Sequence, residues 1–323
     1  MPIDSVWNTP NSGHLDPQAE ALLDEFAKRP KLAAPLDDLS YVTALRAGYV
    51  GIVRLAGPRE RVDRVEDVSA NGPSGAIPMR IYRPQARSGG PLVVWFHGGG
   101  FVVGDLDTHD APMRALANRC RCTVLSVAYR LAPEHPYPAG VEDAYASLDW
   151  AATHTADIGS DPERIVIGGD SAGGNIATVA AMLGLQRGGP AIALQVLLYP
   201  DGDGRAGFNY PSWKENDGRI LDRVSKDRQL AMYLPASVDR AVPHVSPALS
   251  SLRDLKGMPP ALIVTGEFDP QRDEGELYAT RLRDASVRTS LLRYPGMIHG
   301  FFQMAGRLAA GRDVIERVAA AVS

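Results

Sequence analysis

The apolar residues of this chain form two kinds of run, which alternate along most of its length. The runs at 91–96 ("PLVVWF") and 164–167 ("RIVI") are short and lack regular polar alternation, which is typical of strands buried on both faces. From residue 172 onward a longer run is apolar nearly all round a helix, which predicts a buried helix. Further strands are predicted at 123–128, 191–199, 261–265 and 289–294, and further helices at 141–154 and in the final stretch to residue 321. This alternation predicts an α/β fold with a mostly parallel sheet of about eight strands and helices on both faces.

The N-terminal part has a different pattern, which predicts helices before the first strand. Asp16 followed by Pro17 is a favourable helix start, since aspartate caps the first turn and proline fits its first position. A second helix is predicted at about 38–55. The stretches "RVDRVEDVSA" and "IPMRIYRP" that follow are predicted strands. We therefore expect a helical prelude in residues 1–56 and an α/β domain in residues 57–323.

The alternation of strand and helix lapses in a polar, glycine-rich stretch between residues 201 and 234. A helix is predicted to begin near Asp222, and the stretch as a whole is expected to be an insertion that folds over one end of the sheet. Its "GDGRAG" fits the pattern G-x-G-x-x-G of dinucleotide-binding turns. However, it does not follow the first strand, and Pro211 is expected to keep a helix from following it, so we predict no dinucleotide site here.

Composition excludes several classes of partner. The 323 residues carry a net charge of −4, from 34 basic and 38 acidic side chains, so no electrostatic footprint for nucleic acid or an anionic membrane is present. No apolar run approaches the roughly 18 residues of a membrane-spanning helix. The start of the sequence lacks the basic and apolar regions of a secretory signal, and we expect a cytoplasmic protein.

Cys120 and Cys122 are the two cysteines, too few for a disulfide framework. Their spacing is expected to put both on one face of a strand, where a mutual disulfide is unfavourable, and it does not match a metal half-site. We predict that they are small buried hydrophobic residues, and we predict no metal site.

Ser171 lies in "IGGDSAGGN", directly between a predicted strand and a predicted helix. So sharp a connection forces a positive φ on the central residue, and it requires very small side chains two residues to either side, where Gly169 and Gly173 stand. A nucleophilic serine on this corner matches G-x-S-x-G. The alternative is a serine that merely caps the helix. A phosphate-binding loop is disfavoured because no Gly-Lys-Ser/Thr follows.

A second glycine cluster, "FHGGGF" at 96–101, also follows a buried strand. Consecutive glycines allow backbone N–H groups to converge on a ligand, as the oxyanion of an acyl-transfer intermediate requires. The predicted oxyanion hole consists of the N–H groups of Gly99, Gly100 and Ala172, and Gly98 could replace one of them. His97 is interpreted as an anchor of this loop rather than a base.

A nucleophilic serine also needs a base and an acid, in the chain order serine, acid, histidine. His299 follows the last predicted strand, and Asp269 follows the strand before it, so both belong to the sheet edge where Ser171 lies. We predict Asp269 as the acid, with Glu267 and Asp273 as alternatives. The other histidines lie outside the strand-end loops or do not fit this order; they are His14, His97, His109, His135, His154 and His244.

With HGGG, GDSAGG, DPQRDEG and HGF in this order, the sequence resembles the hormone-sensitive-lipase-like group of bacterial carboxylesterases. "YRLAPEHPYPAG" and "HVSPALS" resemble that group too, and the likeness runs from about residue 80 to 302. It implies an α/β-hydrolase fold, no cofactor, and a cap over the active site formed by residues 1–56 and 204–234. Gln271, where the group more often has leucine, is a departure that leaves the predicted triad unaffected. Pairing of two chains through an edge strand into a homodimer would also fit the resemblance.

These residues predict a serine hydrolase, and the resemblance implies a carboxylesterase acting on small ester substrates with short to medium acyl chains. His299 would take the proton of Ser171, which attacks the ester carbonyl, while Asp269 holds the imidazole. Because the imidazole must be neutral to act, the rate should fall on acidification. Two alternatives stay open: the same triad directed at amides or peptides, and a non-catalytic small-molecule receptor, since plant gibberellin receptors resemble this group.

Overall fold

The computed structural model describes residues 11–28, 37–85, 89–207 and 209–323. In these residues eight strands form a single sheet with the order β1-β2-β4-β3-β5-β6-β7-β8. The strands are β1 Arg64–Gly72, β2 Gly75–Arg83, β3 Gly90–Phe96, β4 Thr123–Val127, β5 Ser160–Asp170, β6 Leu194–Leu198, β7 Ala261–Gly266 and β8 Thr289–Tyr294.

The sheet is antiparallel at one side and parallel over the rest. β1 pairs antiparallel with β2, and β2 with β4, whereas all pairs from β4 across to β8 are parallel. The carboxyl ends of β3 to β8 therefore meet at one edge of the sheet, which we call the carboxyl edge. The predicted α/β class with a mostly parallel sheet of about eight strands is confirmed.

Helices cover both faces of the sheet. In the described residues they are α1 Pro17–Ala27, α2 Asp38–Tyr49, α3 Asp110–Cys120, α4 Ala139–Thr153, α5 Thr155–Ile158, α6 Ala172–Arg187, α7 Pro211–Asn216, α8 Arg223–Tyr233, α9 Leu252–Leu255, α10 Arg272–Asp284 and α11 Ala309–Val322. One core lies between the sheet and α4, α6 and α10, and a second lies between the other face and α1, α3 and α11.

The sequence of β3 lacks polar alternation because the strand lies between the two cores. Val94 and Phe96 point into the first core, while Val93 and Trp95 point into the second, and all four are fully buried. A strand with a packed core on each side has no solvent-facing positions, so apolar residues follow one another without interruption.

Of the two helices predicted in the N-terminal part, the first is confirmed, and the second ends earlier than predicted. The carboxylate of Asp16 accepts a hydrogen bond from the N–H of Gln18, 2.8 Å away, and caps α1. The second helix, α2, ends at Tyr49, and a 3₁₀ segment at Val50–Leu55 continues the chain. The rest of the predicted prelude, residues 1–10 and 29–36, lies outside the described residues.

Two local expectations are wrong. Cys120 is the last residue of α3 and Cys122 precedes β4, because Arg121 between them adopts a left-handed φ of 50° that ends the helix. Both thiols are buried and free, as predicted, but they do not share a strand. In addition, α7 begins at Pro211, since proline is well tolerated at the first position of a helix.

None of the helices in the described part of the chain has both the length and the apolar character needed to cross a membrane.

Candidate active site

Ser171 occupies the corner between β5 and α6 at the carboxyl edge. Its backbone has φ 55° and ψ −124°, so the predicted positive φ is confirmed. Backbone hydrogen bonds tie this corner to the end of β6 and the loop after it. The Ser171 N–H donates to the carbonyl of Leu198 over 2.9 Å, and the carbonyl of Ser171 accepts from the N–H of Asp201 over 3.1 Å. The strained conformation is thus held in place by backbone hydrogen bonds.

The two glycines that flank this corner leave no room for a side chain. A Cβ on Gly169 would lie 2.7 Å from the carbonyl oxygen of Phe96, and one on Gly173 would lie 2.5 Å from that of His97. These obstacles are backbone atoms, which cannot move aside as a flexible side chain would. Glycine is therefore required here by close packing of α6 and β5 against β3.

The structure brings Ser171, His299 and Asp269 together. The Nε2 atom of His299 lies 2.9 Å from the Oγ of Ser171, and its Nδ1 lies 2.8 Å from the Oδ2 of Asp269. His299 and Asp269 are buried, while Ser171 is partly exposed. With the proton on Nδ1 donated to Asp269, Nε2 is free to accept the hydroxyl proton of Ser171.

The two alternative candidates for the acid, Glu267 and Asp273, form their hydrogen bonds away from His299. Glu267 accepts hydrogen bonds from Ser12, Gly13 and the N–H of Gly296, and so fixes the N-terminal segment. Burial alone would raise the pKa of Glu267, but these hydrogen bonds outweigh it and lower the pKa to about 2. Asp273 accepts from the N–H of Ser212 in the insertion. Neither carboxylate is engaged with His299.

The glycine loop after β3 lies beside Ser171, and one of its N–H groups is already occupied. The N–H of Gly98 donates to Oδ1 of Asp170 over 3.2 Å, so Gly98 is not a free donor. In the described residues, the N–H groups of Gly99, Gly100 and Ala172 have no protein acceptor. These three are the predicted oxyanion donors.

His97 is an anchor of this loop by its contacts. Its ring stacks on Tyr129, its Nδ1 bonds to the carbonyl of Gly98 over 2.9 Å, and its own carbonyl accepts from the Tyr129 hydroxyl over 2.7 Å. Burial, aided by the charge of His109, lowers the pKa of His97 to about 4, and the ring is therefore neutral near pH 7.

Asp170, next to Ser171, is the centre of a hydrogen-bonded cluster of residues that was not predicted from the sequence. Besides Gly98, it accepts from the indole N–H of Trp95 over 3.2 Å and lies 3.3 Å from Nε2 of His109. Burial alone would raise the pKa of Asp170, but His109 and these hydrogen bonds lower it. His109 carries no sequence signal for this contact, because it reaches Asp170 only through the packing of α3 against the sheet.

The insertion and the N-terminal helices also meet at the carboxyl edge. On α2, the guanidinium of Arg46 donates to the carbonyl of Val102, directly after the glycine loop. On α8, Arg228 lies over the ring of Tyr41, 4.0 Å from its centroid, and pairs with Asp38. These contacts join α2 to α8, and they join α2 to the segment directly after the loop beside Ser171.

The chain is similar to known proteins over most of its length. A family model described as alpha/beta hydrolase fold matches residues 93–303. A carboxylic ester hydrolase of Mycobacterium tuberculosis, LipN, is 46% identical over 268 residues, which cover 80% of this chain and 70% of that protein. The carboxylesterase NlhH of the same species is 44% identical over 250 residues, 76% of this chain and 77% of the relative.

A solved structure shares nearly the whole architecture. The hyperthermophilic esterase of Pyrobaculum calidifontis superposes with a TM-score of 0.86 at 38% identity, and the match covers 96% of this chain and 98% of that one. At this identity, the likeness extends beyond the fold to the sequence itself.

Proposed function

Because the chain belongs to the alpha/beta hydrolase family, and within it to the hormone-sensitive-lipase-like carboxylic ester hydrolases, we propose that it cleaves short- to medium-chain acyl esters with Ser171 as nucleophile. The observation that carries this proposal is the continuous hydrogen-bonded line Asp269–His299–Ser171, with distances of 2.8 and 2.9 Å, beside a loop with free N–H groups. Nucleophile, base and acid each have the partner that this chemistry requires.

In the proposed mechanism, His299 Nε2 removes the hydroxyl proton as Ser171 Oγ attacks the ester carbonyl. The resulting oxyanion accepts hydrogen bonds from the N–H groups of Gly99, Gly100 and Ala172, which are fixed before substrate arrives. His299 then returns the proton to the leaving alcohol. Water, activated by the same imidazole, releases the acid from Ser171.

Asp269 is proposed to hold the imidazole rather than to take its proton. Its Oδ1 accepts the N–H of Gln271 over 2.8 Å, and so the carboxylate cannot rotate freely while Oδ2 bonds to His299. The buried negative charge also stabilises the imidazolium that forms when Ser171 attacks.

Residues 1–56 and 204–234 are proposed to form a cap over this site, with residues 57–323 as the catalytic domain that carries the insertion. The contacts of α2 and α8 with each other, of α8 with Phe101 and of α2 with Val102 support this division. A cap that close to Ser171 limits the length of the acyl chain, which favours short to medium chains. A cytoplasmic location and pairing into a homodimer stay predictions.

A panel of p-nitrophenyl esters from acetate to laurate, with the matching butyranilide, tests the proposed substrate class. We expect kcat/KM to peak at butyrate to octanoate, to fall for laurate because the cap closes on the chain, and to be undetectable for the anilide. A maximum at laurate would contradict the proposed chain length. An anilide cleaved as fast as the butyrate ester would instead identify an amide hydrolase.

A further inference from the structure

Helix α8 faces the carboxyl edge with three residues at helical spacing, Lys226, Gln229 and Tyr233. Lys226 forms a buried ion pair with Asp201, the residue whose N–H donates to the carbonyl of Ser171. Two turns further along, Tyr233 stacks in parallel on Phe101, with 4.0 Å between ring centroids. Gln229 lies on α8 between these two contacts, which together fix the position of this part of the helix at the carboxyl edge.

The amide of Gln229 touches the predicted oxyanion loop. A Cβ added to Gly100 would overlap the side-chain oxygen of Gln229 and lie 2.8 Å from its amide carbon. Gln229 is only partly buried, so water reaches its amide in the absence of substrate. In the described part of the chain this amide has no hydrogen-bond partner in the protein.

A substrate bound against Gly100 must displace water from this amide. An ester that is purely apolar next to its carbonyl would leave the Gln229 amide without a partner, and an unpaired, desolvated amide is unfavourable. An ester with a hydroxyl at that place would replace the lost water and avoid the penalty. Sites that hydrogen-bond a substrate group discriminate strongly against analogues that lack it.

We propose that Gln229 is a specificity-determining residue that favours esters carrying a hydroxyl or similar hydrogen-bonding group within a few atoms of the scissile carbonyl. This inference rests on the proposed esterase function of Ser171, and it adds the polarity of the substrate to the chain length argued above. Lys226 and Tyr233 act by holding α8 and do not contact the substrate group.

The test compares matched ester pairs in the wild type, Gln229→Leu and Gln229→Asn. One pair differs in the acyl group, p-nitrophenyl β-hydroxybutyrate against butyrate, and the other in the alcohol, glycol monobutyrate against propyl butyrate. The readout is the ratio of kcat/KM within each pair, from which the amount of folded enzyme cancels. Gln186→Leu, the same change at an exposed position near the end of α6, is the matched control.

In at least one pair we expect the wild type to favour the hydroxylated ester, and Gln229→Leu to lower that ratio by about tenfold. Gln229→Asn should keep part of the preference, and Gln186→Leu all of it. A ratio that is unchanged in both pairs in Gln229→Leu would overturn the inference while leaving the esterase function intact. Loss of the function itself would be seen separately, as hydrolysis of plain butyrate that survives in Ser171→Ala.

Discussion

Ser171→Ala is expected to lower kcat for p-nitrophenyl butyrate by a factor on the order of 10⁵–10⁶, as removal of a triad serine does in other hydrolases. The loss is large because the acyl-enzyme cannot form and His299 has no hydroxyl to deprotonate. Alanine accepts the φ of 55° no worse than serine, so the fold and the thermal unfolding midpoint should be unchanged. Steady-state rates at high enzyme concentration and a circular dichroism melt measure both quantities.

Ser74→Ala is the matched control for that variant. Ser74 lies exposed in the turn between β1 and β2, and its loss should leave the rate as in the wild type. If Ser171→Ala instead kept more than about one per cent of wild-type activity, another nucleophile or a directly activated water would be required.

Asp269→Asn is expected to lower kcat by about 10⁴ while the protein stays folded. The reason lies in the second hydrogen bond of this carboxylate. The N–H of Gln271 donates to Oδ1 and keeps the oxygen of an asparagine on that side, which turns the asparagine NH₂ toward Nδ1 of His299. The imidazole must then carry its proton on Nε2, where it cannot accept the proton of Ser171.

Asp273→Asn makes the same chemical change four positions along the chain and is the control. Because Asp273 bonds to Ser212 and Arg272 and not to His299, its replacement should change kcat by less than about threefold. Rates for both variants with the butyrate ester measure the contrast. Similar losses in the two variants, or a larger loss in Asp273→Asn, would show that Asp269 does not orient the imidazole.

The parts of the site predictable from sequence are those in which the local backbone dictates the residue. The corner at Ser171 needs a positive φ and two flanking glycines, and such requirements can be recognised in a short sequence motif. Likewise, β3 has no polar alternation because it has a core on each face. The meeting of Ser171, Asp269 and His299 follows from a parallel sheet, which puts all their strand ends on one edge.

What escaped prediction depends on contacts between distant elements. His109 has no motif around it, and only the packing of α3 against the sheet brings it to Asp170. The separation of Cys120 and Cys122 depends on a left-handed Arg121, a conformation that the sequence does not signal as glycine would. Gln229 is an ordinary polar residue on a helix, and its contact with Gly100 is set by how α8 is anchored at Lys226 and Tyr233.

Covalent labelling with a fluorophosphonate, located by intact mass and peptide mapping, tests most directly whether Ser171 is an activated nucleophile. Fluorophosphonates react with serines whose hydroxyl is deprotonated by a neighbouring base and whose oxyanion is stabilised. We expect a single adduct per chain, on the peptide that contains Ser171, and none in Ser171→Ala. An adduct on any other residue, or an unlabelled wild type that still hydrolyses the butyrate ester, would show that Ser171 is not the activated nucleophile.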